Sequence, residues 1–228
     1  MKKSILNNIR CDDKDCFEND YFIQSLLGDI SHASYSCLAI EQNPNFIFLF
    51  DSMFEQIVPD TILEIGTYHG GTTKAIRDIA IQYNKDVKIH TFDHTEPSNL
   101  VRHTDLDNIL IYIQNLFSNS YDSFLDEYSE ELANQIIQNQ GTTYVLCDGG
   151  CKACEFRLLS NKLKKGDVIM LHDYSESLDY FNSQIKNKYW NWLEVSLKDI
   201  IGSCEANNLR PITRFQAHKA GWGCFQKH

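Results

Sequence analysis

Residues 62–76 read ILEIGTYHGGTTKAI: an apolar run that stops at glycine, a polar turn with two more glycines, then helical spacing. A strand, a tight turn and a helix opening at Thr72-Thr73 would expose unpaired backbone N–H groups to an anion or to the polar end of a cofactor. Gly66, Gly70 and Gly71 carry no Cβ to hold a ligand off. An ordinary βα turn has much the same composition, so the next acid matters. VKIHTF (87–92) ends at Asp93, and a carboxylate at the end of the second strand can take the two hydroxyls of a ribose. Further on, TYVLC (143–147) runs into Asp148, and DVIMLH (167–172) closes on His172 and Asp173. A histidine with a pKa near neutrality can accept a proton from a reacting hydroxyl; a histidine hydrogen-bonded at a sheet edge is the plainer alternative. Cys147, Cys151 and Cys154 have a spacing that zinc could use, but no second Cys/His pair follows. Cys147 sits in an expected strand, where it reads as a small apolar residue.

The elements that must position these groups follow from periodicity. NFIFLFDSMFEQIV (45–58) places apolar residues at i, i+3 and i+4 spacings, a buried helix ending before Pro59. Strands are expected at 61–66, 87–92, 108–114, 143–147 and 167–172, with helices over 72–83, 121–138 and 153–163 between them. A polar connection spans 95–108. Strands alternating with helices of this length imply a parallel sheet covered on both faces. The alternation then lapses. A long helical stretch covers about 178–207, with a break expected near Trp190–Trp192. ITRFQAH (212–218) and GWGCFQK (221–227) read as two strands joined by a connection short enough to force antiparallel pairing. Residues 1–45 are polar and irregular and read as one or two short helices and a loop that extend the domain at 46–228 and cover its cleft.

The whole chain sets outer bounds. Its 228 residues suffice for one domain with a full core. A formal charge of −10 argues against a nucleic-acid backbone as the main partner. No run approaches the roughly 18 apolar residues of a membrane span, and the apolar part of the first residues is too short for a secretory segment, so a cytoplasmic protein is expected. Eight cysteines are then most economically free thiols. A homo-oligomer is compatible with the sequence.

Taken in order, these motifs resemble class I S-adenosylmethionine-dependent methyltransferases, in particular small-molecule O-methyltransferases and cephalosporin-hydroxylase-like proteins. Glu64-x-Gly66-x-x-x-Gly70-Gly71-Thr72 is similar to the family's EIGTxxGGST; YVLCDGG (144–150) resembles its IDGxH motif; LKKGDVIMLHDY (163–174) resembles LKPGGxxxxHDY. A terminal reversed strand also fits. The resemblance covers about residues 44–228. Dinucleotide oxidoreductases prefer GxGxxG, which this turn lacks because Glu64 stands two residues before Gly66. A nicotinamide-dependent oxidoreductase or a non-catalytic nucleotide-binding module remain the rival readings.

The resemblance implies a Rossmann-like seven-stranded α/β sheet, mostly parallel with a reversed last strand. It assigns Gly66, Thr67, Tyr68 and Gly70–Thr72 to the methionine end of S-adenosylmethionine (SAM), with Glu64 supporting the loop or reaching the cofactor's amino group. Asp93 goes to the ribose, His94 near the adenine, and Asp148 between cofactor and a small-molecule methyl acceptor such as a sugar or secondary metabolite. His172 is the candidate base. Catechol-type relatives bind Mg²⁺ through an acid after strand four and an Asp-Asn pair after strand five. Asp148 and Asp173 could serve here, although Tyr174 stands where the Asn would be, and the chain reads Asp148-Gly149-Gly150-Cys151 where relatives often carry a histidine after Asp-Gly.

Overall fold

A computed structural model describes residues 9–11, 33–35, 38–40, 42–43, 45–97 and 107–228. Its centre is a seven-stranded sheet. The strands, in chain order, are β4 (Thr61–Ile65), β5 (Lys88–Asp93), β6 (Ile109–Ile113), β7 (Thr143–Cys147), β8 (Val168–His172), β11 (Leu209–Pro211) and β12 (Trp222–Lys227). Their spatial order is β11-β12-β8-β7-β4-β5-β6. The five strands β4 to β8 pair parallel, while β12 runs antiparallel to both β8 and β11. The chain works outwards from β4 to β6, then crosses back to lay β7 against the other side of β4. That reversal opens a crevice beyond the carboxyl ends of β4 and β7, the place where open α/β sheets take ligands.

Every residue of β4, β7 and β8 is buried, as expected for central strands covered twice. Alternate residues go to opposite faces. Ile62, Tyr144, Leu146, Val168 and Met170 pack with Phe46, Phe50 and Met53 of α1 (Asn45–Gln56), Ile76 of α2 (Gly71–Ala80) and Ala217 of α7 (Arg214–Ala220). Leu63, Val145, Cys147, Ile169 and Leu171 pack on the other face with Ala133 of α3 (Glu127–Ile137), Phe156 of α4 (Lys152–Ser160) and Ile200 of α6 (Leu197–Ala206). The phenylalanines of α1 meet Trp222 and Tyr144 edge to face, a favourable aromatic geometry.

Three expectations from the sequence are corrected. Residues 214–220 are helix α7, not a strand, and β12 instead takes Leu209–Pro211 as its partner. Ala217, His218 and Ala220 are the buried residues of α7, a helical spacing that a period-two reading conceals. The stretch 178–207 is not one broken helix. A short helix α5 (Leu178–Tyr180) continues as a π turn over Phe181–Ile185. The strand β10 (Val195–Ser196) then pairs with β9 (Tyr174–Ser175), and a Ser196/Asp199 capping box starts α6 afresh. α3 begins at Glu127, not Tyr121, because the Asp126 side chain accepts the Ser129 N–H and caps it. Within 1–45, the described residues include three short antiparallel strands, β1 (Ile9–Cys11), β2 (Ala33–Tyr35) and β3 (Leu38–Ile40). The remaining expectations for 1–45 and most of the 95–108 connection fall outside the described residues. No described helix is long and apolar enough to cross a membrane.

Candidate functional site

A cleft of about 690 Å³ opens at the carboxyl ends of β4, β5, β7 and β8, within the size range of small-ligand pockets. Its floor is the turn between β4 and α2. Gly66 has φ +92°, and a Cβ there would lie 2.3 Å from the Asp148 carbonyl oxygen, so only glycine lets this turn cross the end of β7. Glu64 lies beneath. It is fully buried, and its Oε2 accepts from the Thr73 hydroxyl at 2.7 Å and the Thr91 hydroxyl at 2.6 Å. Thr67 continues the chain to Thr91 at 2.5 Å. Burial pushes the Glu64 carboxyl up to about 7, against the pull of its two threonine hydrogen bonds.

Asp93 closes β5 beside the same turn. Its Oδ2 accepts the Tyr68 N–H at 2.7 Å; its Oδ1 accepts from the Thr95 N–H and hydroxyl and lies 3.1 Å from His94 Nδ1. Burial opposes the Asp93 charge, yet these donors hold its pKa below the usual carboxylate value. Tyr68 adopts a left-handed backbone, φ 48°, to make that contact, a conformation that costs energy outside glycine. The turn and Asp93 are thus a single hydrogen-bonded unit. Gly71, Thr72 and His94 also line the cleft, and Gly70 is the left-handed N-cap of α2.

The opposite wall is ionic. His172 Nδ1 lies 3.0 Å from Asp148 Oδ1 and 3.5 Å from Asp173 Oδ1. Burial pulls the imidazole pKa down, but the two carboxylates pull harder, and the net shift is upward. The ring packs on Trp222. The structure therefore brings His172, Asp148 and Asp173 together at the ends of adjacent strands. Both carboxylates approach one nitrogen. Their oxygens, however, already have donors: Gln42 gives an N–H to Asp148 Oδ2 at 2.5 Å, and Lys152 Nζ sits 3.2 Å from Asp173 Oδ2. Among the described residues, no group of three or more His, Cys, Asp or Glu is arranged to hold a metal ion. The acid pair as arranged does not fit a divalent ion.

Several lining residues escape a reading of the sequence. Gln42 is fixed between Asp148 and the Trp222 indole N–H, which it accepts at 3.0 Å. Lys152, Trp192 and the Asn115–Asn119 segment also line the cleft; nothing in their local pattern marks them. Glu155 carries a faint signal, an acid in the first turn of a helix. It is buried, pushed up to about 7 by burial, and accepts the Gly149 and Cys151 N–H groups at 3.1 Å each, which satisfies donors that a helix start leaves open.

The expectation of free thiols holds for Cys147, Cys204 and Cys224, all buried. It is corrected for Cys151 and Cys154, which form a disulfide. The C-x-x-C spacing at the start of α4 brings their Cα atoms to 5.3 Å, within disulfide reach.

No protein-family model and no curated protein matches the chain. Solved structures do. The chain is similar to apo CmcI-N160, with a TM-score of 0.61, 14% identity, 95% of this chain and 86% of that one covered. It is similar to cmcI-D160 with Mg-SAM, with a TM-score of 0.58, 15% identity and coverage of 95% and 87%. It also resembles the CMeT domain of the citrinin polyketide synthase, with a TM-score of 0.52, 15% identity and coverage of 81% and 52%. The chain has the fold that these structures share, a Rossmann-like sheet ending in a reversed strand.

Proposed function

We propose that the protein is a SAM-dependent methyltransferase acting on a hydroxyl of a small molecule, of the sugar or secondary-metabolite kind. The observation that carries this reading is the unit formed by Glu64, the Gly66–Gly71 turn and Asp93. A buried acid holds the turn from below, the turn's own N–H fixes the ribose-type acid, and the whole faces a cleft large enough for a nucleoside cofactor. The likeness in fold to a structure described with Mg-SAM supports it. The oxidoreductase alternative has no such support.

When bound, SAM supplies an electrophilic methyl group on a sulfonium. Gly66, Thr67, Tyr68, Gly70, Gly71 and Thr72 would hold its methionine end, Asp93 its ribose and His94 the adenine side. Asp148 lies between this surface and the acceptor wall. There the acceptor oxygen forms the new bond to the methyl carbon, and the sulfur departs with the old bonding pair. The acceptor proton passes to His172, and the carboxylates of Asp148 and Asp173 beside its Nδ1 stabilise the imidazolium that forms. The chain's contribution is otherwise positional: holding the reactants in line converts a bimolecular step into an effectively unimolecular one. Residues 1–45 belong, in this reading, to the acceptor side of the cleft. Gln42, at the end of that segment, already touches Asp148.

Ultraviolet crosslinking with methyl-labelled SAM, followed by peptide mapping, tests the assignment. Label on peptides carrying 62–76 or 144–157 agrees with it. Label that is absent, or that NADH but not S-adenosylhomocysteine (SAH) competes away, removes it.

A further inference from the structure

Lys152 is the first residue of α4, a poor place for a cation, because the positive end of the helix dipole lies there. It is also buried, and a buried charge is tolerated only when paired. The acids around it account for both facts. Its Nζ lies 2.6 Å from Glu194 Oε2 and 3.2 Å from Asp173 Oδ2, and the field of Asp148 acts on it as well. Burial pulls its pKa down, and these three carboxylates more than reverse that, so it remains an ammonium. Glu194 is in turn held to the fifth-strand loop, since its N–H donates to the Asp173 carbonyl at 3.0 Å. The lysine thus ties α4, the end of β8 and the segment before β10 into one wall of the cleft.

We propose that Lys152 is the resident cation of this acid cluster, occupying with its ammonium the place where the same carboxylates would otherwise gather a divalent ion. The oxygens such an ion would need already have partners: Asp148 Oδ1 faces His172 and its Oδ2 accepts from Gln42, while Glu194 Oε2 accepts from Lys152 and Asp173 Oδ2 pairs with it. An ammonium has three N–H donors. Glu194 takes one by a hydrogen bond and Asp173 is an ion-pair neighbour; Lys152 also lines the cleft, where a further N–H is available to an oxygen. Insofar as the methyltransferase reading holds, that oxygen is the acceptor's. Lys152 then favours its negative charge as the proton leaves for the His172 cluster, and keeps its own proton throughout. Fixed positive charge aimed at a developing oxyanion is an effective electrostatic device in a desolvated site.

The decisive experiment measures Mn²⁺ binding by electron paramagnetic resonance on the full chain, wild type against Lys152→Ala. SAH calorimetry on each sample reports separately whether the cofactor reading stands, so the two ideas fail independently. The expected result is no stoichiometric site in the wild type and one Mn²⁺ bound by Lys152→Ala, displaced by Mg²⁺ and lost again in Lys152→Ala/Asp173→Asn. If Lys152→Ala does not fold, Lys152→Ala/Glu194→Gln, which removes one negative charge with the cation, is measured in its place. Stoichiometric Mn²⁺ in the wild type overturns the proposal, because the site then needs a metal beside the lysine. Absence of Mn²⁺ from every variant overturns it too, because the acids then form no cation site for Lys152 to fill.

Discussion

Replacing Glu64 by Gln isolates what it costs to keep a carboxylate beneath the cofactor turn. Glu64 is fully buried, and its carboxyl titrates at about 7 in the folded protein instead of 4.5. A folded pKa above the unfolded one means the folded state binds the proton more tightly, so stability from this group is present below pH 4.5 and lost as pH rises to about 7. A shift of this size corresponds to about 3 kcal/mol lost in full above the folded pKa. Gln removes the charge and keeps a carbonyl oxygen to accept from Thr73 and Thr91. Urea unfolding followed by circular dichroism at pH 5 and pH 8 gives the wild-type-minus-variant difference at each pH, in which other titrating groups, Glu155 included, cancel. The variant should gain about 2–3 kcal/mol on the wild type between the two. A difference that does not change with pH would refute the burial argument.

Asp93→Ala should weaken SAH binding by about 1.5–3 kcal/mol, the scale of a hydrogen bond to a charged group, read by calorimetry. Gly66→Ala must place a Cβ 2.3 Å from the Asp148 carbonyl; a loss of about 2 kcal/mol or more in unfolding free energy is expected from such backbone strain, and a variant of wild-type stability would show the turn to be placed differently. His172→Ala should lower kcat by about 10²–10⁴-fold on the true acceptor while SAH affinity stays near wild type; equal losses in both would make it structural. Deleting residues 1–34 should spare SAH binding and lower turnover, and full turnover in the truncated protein would remove that segment from the acceptor side.

The parallel core was legible because the signal there is local. TILEI, TYVLC and VIMLH are short apolar runs closed by glycine or acid, and each is a fully buried strand. The tail was not, since ITRFQAH alternates well enough to pass for a strand while its packing follows Ala217 and Ala220 on a helix. For the same reason the sequence indicated Asp148, His172 and Asp173, which stand at strand ends, and was silent on Gln42 and Lys152. A glutamine between Asp148 and Trp222 bridges residues far apart in the chain. Lys152 at a helix start looks like any exposed lysine until Asp173 and Glu194 are folded against it.

The most direct test of the central claim is a calorimetric titration of one preparation of the full chain with SAH and with NADH. The account predicts saturable binding of SAH at one site per chain, weakened in Asp93→Ala, and no binding of NADH at the same concentrations. Binding of NADH in preference to SAH would contradict it.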